Sequence, residues 1–186
     1  MNIEETLKKV IRGEWRDVIK NAATGKILLD TGWKPNQIQD TNATLLAMLF
    51  RELIQGSPAI TAGPQYLAIG SGQTSWDTAP PTLSRSDTTL DTEFERKQLT
   101  ASDIVYIDPT TKAVSGSETR AIEITVTFST SEGNGGIWRE FGFFGGDATG
   151  ATDSGYMINW VSHGRIDKDS TMTIVRKCRF IFQLET

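Results

Sequence analysis

The residues with the greatest chemical potential lie in the segment EGNGGIWREFGFFGG, residues 132–146, where glycines and aromatics surround one arginine and one glutamate. A neighbouring acid and cation could serve catalysis, and a glycine-rich loop could hold a phosphate. Arg139 and Glu140, however, are adjacent in a strand-like segment, so we expect their side chains on opposite faces. The glycines favour a turn before that strand, with Asn134 and Gly135 forming a tight hairpin.

The other motifs that could carry chemistry are incomplete. GSGQTS at 70–75 lacks the third glycine of a dinucleotide-binding fingerprint, and ATGKI at 23–27 lacks most of a P-loop. His163 is the single histidine and has no GxSxG elbow to accompany it. Asp147 and Asp153 do not have the spacing of a calcium loop. The sequence therefore predicts no catalytic, cofactor-binding or metal-binding residues, although a carboxylate pair drawn from distant strands stays open.

Composition and charge narrow the partner classes. The chain has 186 residues, a net charge of −4 and a pI near 5.1, so it lacks the basic field of nucleic-acid or anionic-membrane binders. The single Cys178 excludes an internal disulfide and fits synthesis in a reducing cytoplasm. No apolar stretch approaches the roughly 20 residues of a membrane span, and the N-terminal sequence does not resemble a signal peptide. We expect neither nucleic acid nor membrane as a partner.

The elements that would position these residues change character near residue 60. Apolar residues three and four apart predict an amphipathic helix over residues 3–20, and a second helix is predicted from Asp40 or Thr41 to about Gly56. We assign residues 1–60 to a helical attachment segment. The periodicity leaves open whether its first helix packs on this chain or on another subunit. The predicted interface residues are Ile3, Leu7, Ile11, Trp15, Val18 and Trp33.

From Tyr66 onward the apolar residues recur with a period of two. In AIEITVTFS, residues 121–129, apolar and polar positions alternate as they do in a half-buried strand. Turn signals separate about seven such segments, and no βαβ alternation is present. The sequence predicts a mainly β fold, an antiparallel β-sandwich of about seven strands over residues 61–186, preceded by the helical segment. The predicted strands are 66–70, 94–99, 103–108, 121–129, 137–144, 156–161 and 171–182.

The order of five segments, GWKPNQIQDTNATLLAMLF, YLAIGSG, LDTEFERKQL, VTFSTSEGNGGIWREFGFFGG and NWVSHGRIDKDSTMTI, resembles bacteriophage tail-associated structural proteins of the baseplate, tail-fibre attachment and neck. The resemblance spans residues 31–182, and Trp138 interrupts its I-R-E-x-G-x-F pattern. It implies a virion location after assembly in the host cytoplasm, other virion proteins as partners, a homo-oligomer, and positions that maintain the fold rather than catalyse. Those positions are Ile137, Arg139, Glu140, Gly142, Phe144, Ile166, Lys168 and Ile174.

These observations lead to a non-enzymatic virion protein, an adaptor or decoration subunit that attaches fibres or neighbouring subunits. The alternative is a carbohydrate- or receptor-binding domain of a tail fibre, in which Trp76, Trp138 or Trp160 stacks on a sugar ring. A hydrolase of a surface polymer is a third hypothesis. Buried tryptophans favour the structural role, an exposed aromatic row favours binding, and two carboxylates about 5–9 Å apart in a cleft favour hydrolysis.

Overall fold

A computed structural model describes residues 11–46 and 63–182 of the chain. The described residues are mainly β, as the period of two predicts, and every strand pairing among them is antiparallel. A helix begins at residue 40, and Thr74–Asp77 and Ala101–Asp103 form short 3₁₀ turns. The strands are β1 (Ile11–Asn21), β2 (Ile27–Asp30), β3 (Lys34–Ile38), β4 (Pro64–Gly70), β5 (Glu93–Gln98), β6 (Ile104–Tyr106), β7 (Ala121–Phe128), β8 (Ile137–Gly145), β9 (Tyr156–Asp167) and β10 (Met172–Phe182).

The described chain divides into two compact units. The first unit contains residues 11–36, 100–130 and 171–182. Strand β1 pairs along its whole length with β10, which pairs with β7, and β7 pairs with the short β6. On its other side β1 pairs first with the start of β3 and then with β2. Apolar side chains of the three long strands form the core, including Trp15, Ile19, Ile124, Phe128, Ile174 and Phe180.

The second unit contains residues 37–46, 63–99 and 131–170. Its strands run in the order β5, β4, β8 and β9, and the last residues of β3 pair with β9. Strand β8 is buried along nearly all of its length, which explains its run of aromatics and glycines. A Cβ on Gly142 would lie 2.7 Å from the carbonyl oxygen of Asn159, so this position requires glycine. Gly142 is therefore a point where the neighbouring backbone approaches closely.

All seven predicted strands are present, as β4 to β10, but the predicted count is too low by β1, β2 and β3. The N-terminal helix is wrong over residues 11–20, where the chain forms β1. The alternating positions Gly13, Trp15, Asp17 and Ile19 are buried, and the aspartate among them conceals the period of two. The second helix begins where it is predicted to begin, and its residues after 46 lie outside the described chain, as do Ile3 and Leu7.

The predicted hairpin between residues 121 and 144 is also wrong. Strand β7 pairs with β10 and β6 in the first unit, whereas β8 pairs with β4 and β9 in the second. The glycines of EGNGG do adopt positive φ, at Gly133 and Gly135, but they lie within the second unit, just before β8, and do not join β7 to β8 as a hairpin. Local turn chemistry fixes the bend without fixing which strands become partners.

Candidate functional site

The turn between β1 and β2 is built around one asparagine side chain. Asn21 Oδ1 accepts hydrogen bonds from the backbone N–H of Ala23 at 3.1 Å and of Thr24 at 2.9 Å. The N–H of Asn21 donates to the carbonyl oxygen of Lys26 at 2.9 Å, and Gly25 provides the positive φ of 69° that the turn needs. These bonds hold β2 in a defined position against β1.

Strand β2 is exposed at all four of its residues. Ile27, Leu28 and Leu29 retain 53%, 49% and 44% of their accessible surface, and we call these three residues the β2 strip. Among the described strands, β2 pairs with β1 and with no other. Three consecutive aliphatic side chains at the surface are unusual in a free soluble protein unless they serve a contact. The β2 strip is therefore the candidate contact surface of the first unit.

Asp30 fixes the far end of β2. Its carboxylate accepts a hydrogen bond from Arg16 Nε at 2.8 Å and a second from Arg16 Nη2, while the N–H of Gly32 donates to it at 3.0 Å. The Arg16 hydrogen bonds and then the Gly32 bond lower the pKa of Asp30 to about 2. Next to it, Thr31 Oγ1 accepts the N–H of Asp17 at 2.9 Å. Both ends of the β2 strip are thus anchored to β1.

A buried ion pair lies in the same strand pairing. Asp17 and Arg176 stand opposite each other on β1 and β10, and both side chains are completely buried. Arg176 Nε donates to Asp17 Oδ1 at 2.7 Å, and Nη2 donates to Oδ2. The pair satisfies two charges that would otherwise be very costly in the core.

The structure does not bring the predicted interface residues onto one exposed surface. Trp15 is buried, with Lys34 Nζ 5.6 Å from its ring centroid, whereas Ile11 and Val18 are half-buried. Because side chains alternate along a strand, Val18 lies on the opposite face of β1 from Trp15. Trp33 is half-buried and carries the Arg179 guanidinium 3.6 Å from its ring centroid. The prediction of a helical contact surface is wrong for the described residues, because residues spaced three and four apart do not share one face in a strand.

The sequence does not predict the β2 strip, because no strand is predicted between the two helices of residues 1–60. One signal was present: three aliphatic residues stand between Gly25 and Asp30, a length and composition that suit a short strand. Their exposure cannot be obtained from that pattern, since an apolar run of this kind ordinarily indicates burial.

The three aromatics proposed to face a ligand lie in the second unit and do not form an exposed row. Trp138 is fully buried and its Nε1 donates to the carbonyl oxygen of Gly133 at 2.9 Å. Trp160 is 6% exposed and its Nε1 donates to Glu140 Oε2 at 2.8 Å. Trp76 is half-buried, with its ring centroid 6.3 Å from that of Trp160. Two of the three indole N–H groups are therefore committed to bonds within the fold.

Arg139 and its neighbour Glu140 bind different partners, as alternation along a strand predicts. Arg139 Nε and Nη2 form a bidentate pair with Asp77 at 2.7 and 2.8 Å. Glu140 accepts the N–H of Thr92 at 3.0 Å and that of Asp91 at 3.2 Å, besides the indole of Trp160. Burial raises the pKa of Glu140 above its ordinary value. Both residues hold loops against β8.

The acidic loop at residues 147–155 is ordered by an arginine. Arg96 pairs with Glu93 at 2.6 Å and donates to the carbonyl oxygens of Thr149 at 3.0 Å and Ser154 at 2.9 Å. Within residues 11–46 and 63–182, no three His, Cys, Asp or Glu side chains are grouped to hold a metal ion.

His163, the single histidine, lies in β9. One of its ring nitrogens, Nδ1, is 2.7 Å from the carbonyl oxygen of Gly164. Its ring centroid lies 6.0 Å from that of Phe141. The contacts of this imidazole are thus with its own strand and with β8.

No protein-family model, curated protein or solved structure matches the chain. None of the helices in the described part has the length and apolar character needed to cross a bilayer.

Proposed function

We propose that this protein is a non-enzymatic structural component of a bacteriophage virion, an adaptor or decoration subunit of the tail, baseplate or neck. The observation that carries the proposal is the β2 strip, three aliphatic side chains about half exposed on a hairpin with both ends anchored. Assembly subunits present apolar surface that becomes buried only when neighbours join. The phage assignment itself rests on the sequence resemblance.

Two ion pairs within the fold support this structural role. The ion pair of Asp17 with Arg176 joins two strands, and the pair of Arg139 with Asp77 holds a loop to β8. Charged side chains with internal partners of this kind stabilise a fixed shape, which an adaptor needs. The proposal includes other virion proteins and further copies of the chain as partners. It also retains an antiparallel β-sandwich as the architecture.

Complementation of a phage that lacks the gene tests the proposal. Wild-type chain and the control variant Val114→Lys, at a site 72% exposed, should restore complete particles. Leu28→Lys should give particles that lack the subunit, because a lysine in the β2 strip must lose its water on contact with a neighbour. Electron microscopy and mass spectrometry of purified particles provide the readout. Complete wild-type particles without the chain, or normal incorporation of Leu28→Lys, would contradict the proposal.

The carbohydrate-binding alternative depends on Trp76, the one predicted aromatic that is not buried. An exposed indole face can stack on a sugar ring. Glycan-array binding by the wild-type chain that disappears in Trp76→Ala, with unchanged melting, would favour this alternative over assembly.

A further inference from the structure

Among the described residues β2 pairs only with β1, and its sequence fits a specific occupant on the other edge. We propose that the β2 strip pairs with the β2 strip of a second copy of this chain, antiparallel, about a two-fold axis at Leu28. This inference rests on the proposed function, since it names the partner of the same contact surface.

The five residues Lys26-Ile27-Leu28-Leu29-Asp30 are complementary to themselves when two copies run antiparallel. With Leu28 opposite Leu28, each Ile27 faces Leu29 of the second copy and each Lys26 faces Asp30. Aliphatic pairs and opposite charges directly across two strands are stabilising, and the two-fold axis produces each contact twice. A shift of one residue would set Asp30 or Lys26 against an aliphatic residue, and a parallel pairing would set like charges together. Only this register satisfies all five positions.

The structure of the hairpin leaves Leu28 available for such a contact. The pairing of β1 with β2 joins Ile19 to Leu29 and Lys20 to Ile27, so Leu28 is the extra residue of a β-bulge in β2, and its side chain remains 49% exposed. The side chain of Asp30 remains 31% exposed beside Arg16 and can therefore receive Lys26 of the second copy as an additional cation. The bonds of Asn21 and Asp30 fix the strand before it meets its partner, which reduces the entropy lost on pairing.

The proposed pairing of two β2 strips buries little surface, and this small area limits the affinity that we expect for the free dimer. Specific stable interfaces bury about 1,200–2,000 Å² in total, and three half-exposed aliphatic side chains per copy provide less than that. We therefore expect a weak dimer of the free chain, populated only at high protein concentration. In a particle, neighbouring contacts raise the effective concentration of the two strands and strengthen the pairing.

Sedimentation velocity on the full chain, from about 10 µM to 1 mM, tests the association. The wild-type chain and Val114→Lys should show the same concentration-dependent dimer. Leu28→Lys and Lys26→Glu should each weaken it at least about tenfold, because they place like charges against each other across the axis. A chain that stays monomeric throughout, or a dimer that Leu28→Lys leaves unchanged, would overturn the proposal.

Cysteine cross-linking tests the register, and it captures weak encounters as a stable product. Residues directly opposite in an antiparallel pair have Cβ atoms about 4.5–5.5 Å apart, within reach of a disulfide after a small adjustment. Leu28→Cys alone should form a linked dimer on mild oxidation, while Ile27→Cys and Leu29→Cys should link only when mixed. The native Cys178 is completely buried and provides no competing thiol at the surface. Equally fast linking of Ile27→Cys to itself would show that the register is wrong.

The two proposals fail in different ways. If the free chain is monomeric and unlinked while Leu28→Lys still blocks incorporation into particles, the partner is another virion protein and self-pairing is wrong. If the dimer and its register are found but the chain is absent from complete particles, self-pairing stands and the virion role is wrong.

Discussion

The buried pair of Asp17 and Arg176 offers the sharpest test of the first unit. Asp17→Leu leaves a guanidinium in the core without its carboxylate, and Arg176→Met leaves a carboxylate without its cation. Both side chains are 0% exposed, so water cannot replace the missing partner. Removing one member of such a pair should lower the free energy of unfolding by about 3–5 kcal/mol.

The double variant should behave differently from the sum of the two single variants. With Asp17→Leu and Arg176→Met together, apolar groups replace both charges between two buried cross-strand pairs, Trp15 with Cys178 and Ile19 with Ile174. The free energy of unfolding should then lie within about 1 kcal/mol of wild type or above it, because no charge remains to be desolvated. The two substitutions should therefore be strongly non-additive, well beyond the roughly 0.5 kcal/mol seen for independent sites.

Urea unfolding followed by circular dichroism and tryptophan fluorescence measures all four proteins of this cycle. Arg85→Ala is the matched control: it removes an exposed partner of Asp40, whose side chain is 61% exposed, and should change the free energy by at most about 1 kcal/mol. If Asp17→Leu costs no more than this control, or if the double variant is as unstable as the sum of the single ones, the pair does not act as a buried, mutually compensating unit.

Three further predictions concern other parts of the fold. Phe128→Ala should lower the free energy of unfolding by about 3–5 kcal/mol because its ring is completely buried, and a loss below about 1 kcal/mol in urea melts would remove it from the core. Burial raises the pKa of Glu140, so the contribution of this carboxyl group to the free energy of unfolding should fall as the pH rises above about 4.3, the ordinary glutamate value. Glu140→Gln should lack that part of the decline, and a difference between the two proteins that does not vary with pH would show that the carboxyl group is not responsible. Deletion of residues 1–20 should abolish folding of the first unit, because it removes nearly all of β1, which pairs with β10, β2 and β3. A truncated chain with native amide chemical shifts for β7 and β10 would contradict this prediction.

The strands from β4 to β10 could be predicted from the sequence because each has one apolar face or a continuous apolar run. In β7, for example, Ile124, Val126 and Phe128 are buried while Thr127 is exposed, which is the alternation that a half-buried strand requires. Strand β9 was predicted too short, because the polar residues after Val161 do not show the same alternation. The period of two identifies a strand only over the residues whose apolar side chains continue to alternate.

The errors in the N-terminal region have a common physical cause. A strand with Asp17 on its buried face does not show an apolar period of two. Asp17 can be buried here because Arg176 lies opposite it, through a strand pairing that is distant in sequence. Arg176 is likewise a charged residue within an apolar strand. Two opposite charges in two such strands together indicate that β1 and β10 are in contact. Partner choice among strands, including the separation of β7 from β8, depends on long-range packing that local patterns do not encode.

The order in which the first unit can form follows from the position of β10. This strand lies between β1 and β7, and its Arg176 meets Asp17 across 159 residues of sequence. During synthesis β1 therefore leaves the ribosome long before its main partner exists, whereas the described residues of the second unit, 37–46, 63–99 and 131–170, are complete before β10. Long-range pairing is slow because the chain must close a large loop before the contacts form. The early-made hairpin therefore exposes its aliphatic strand until β10 inserts beside β1, and exposed apolar strands of this kind favour aggregation.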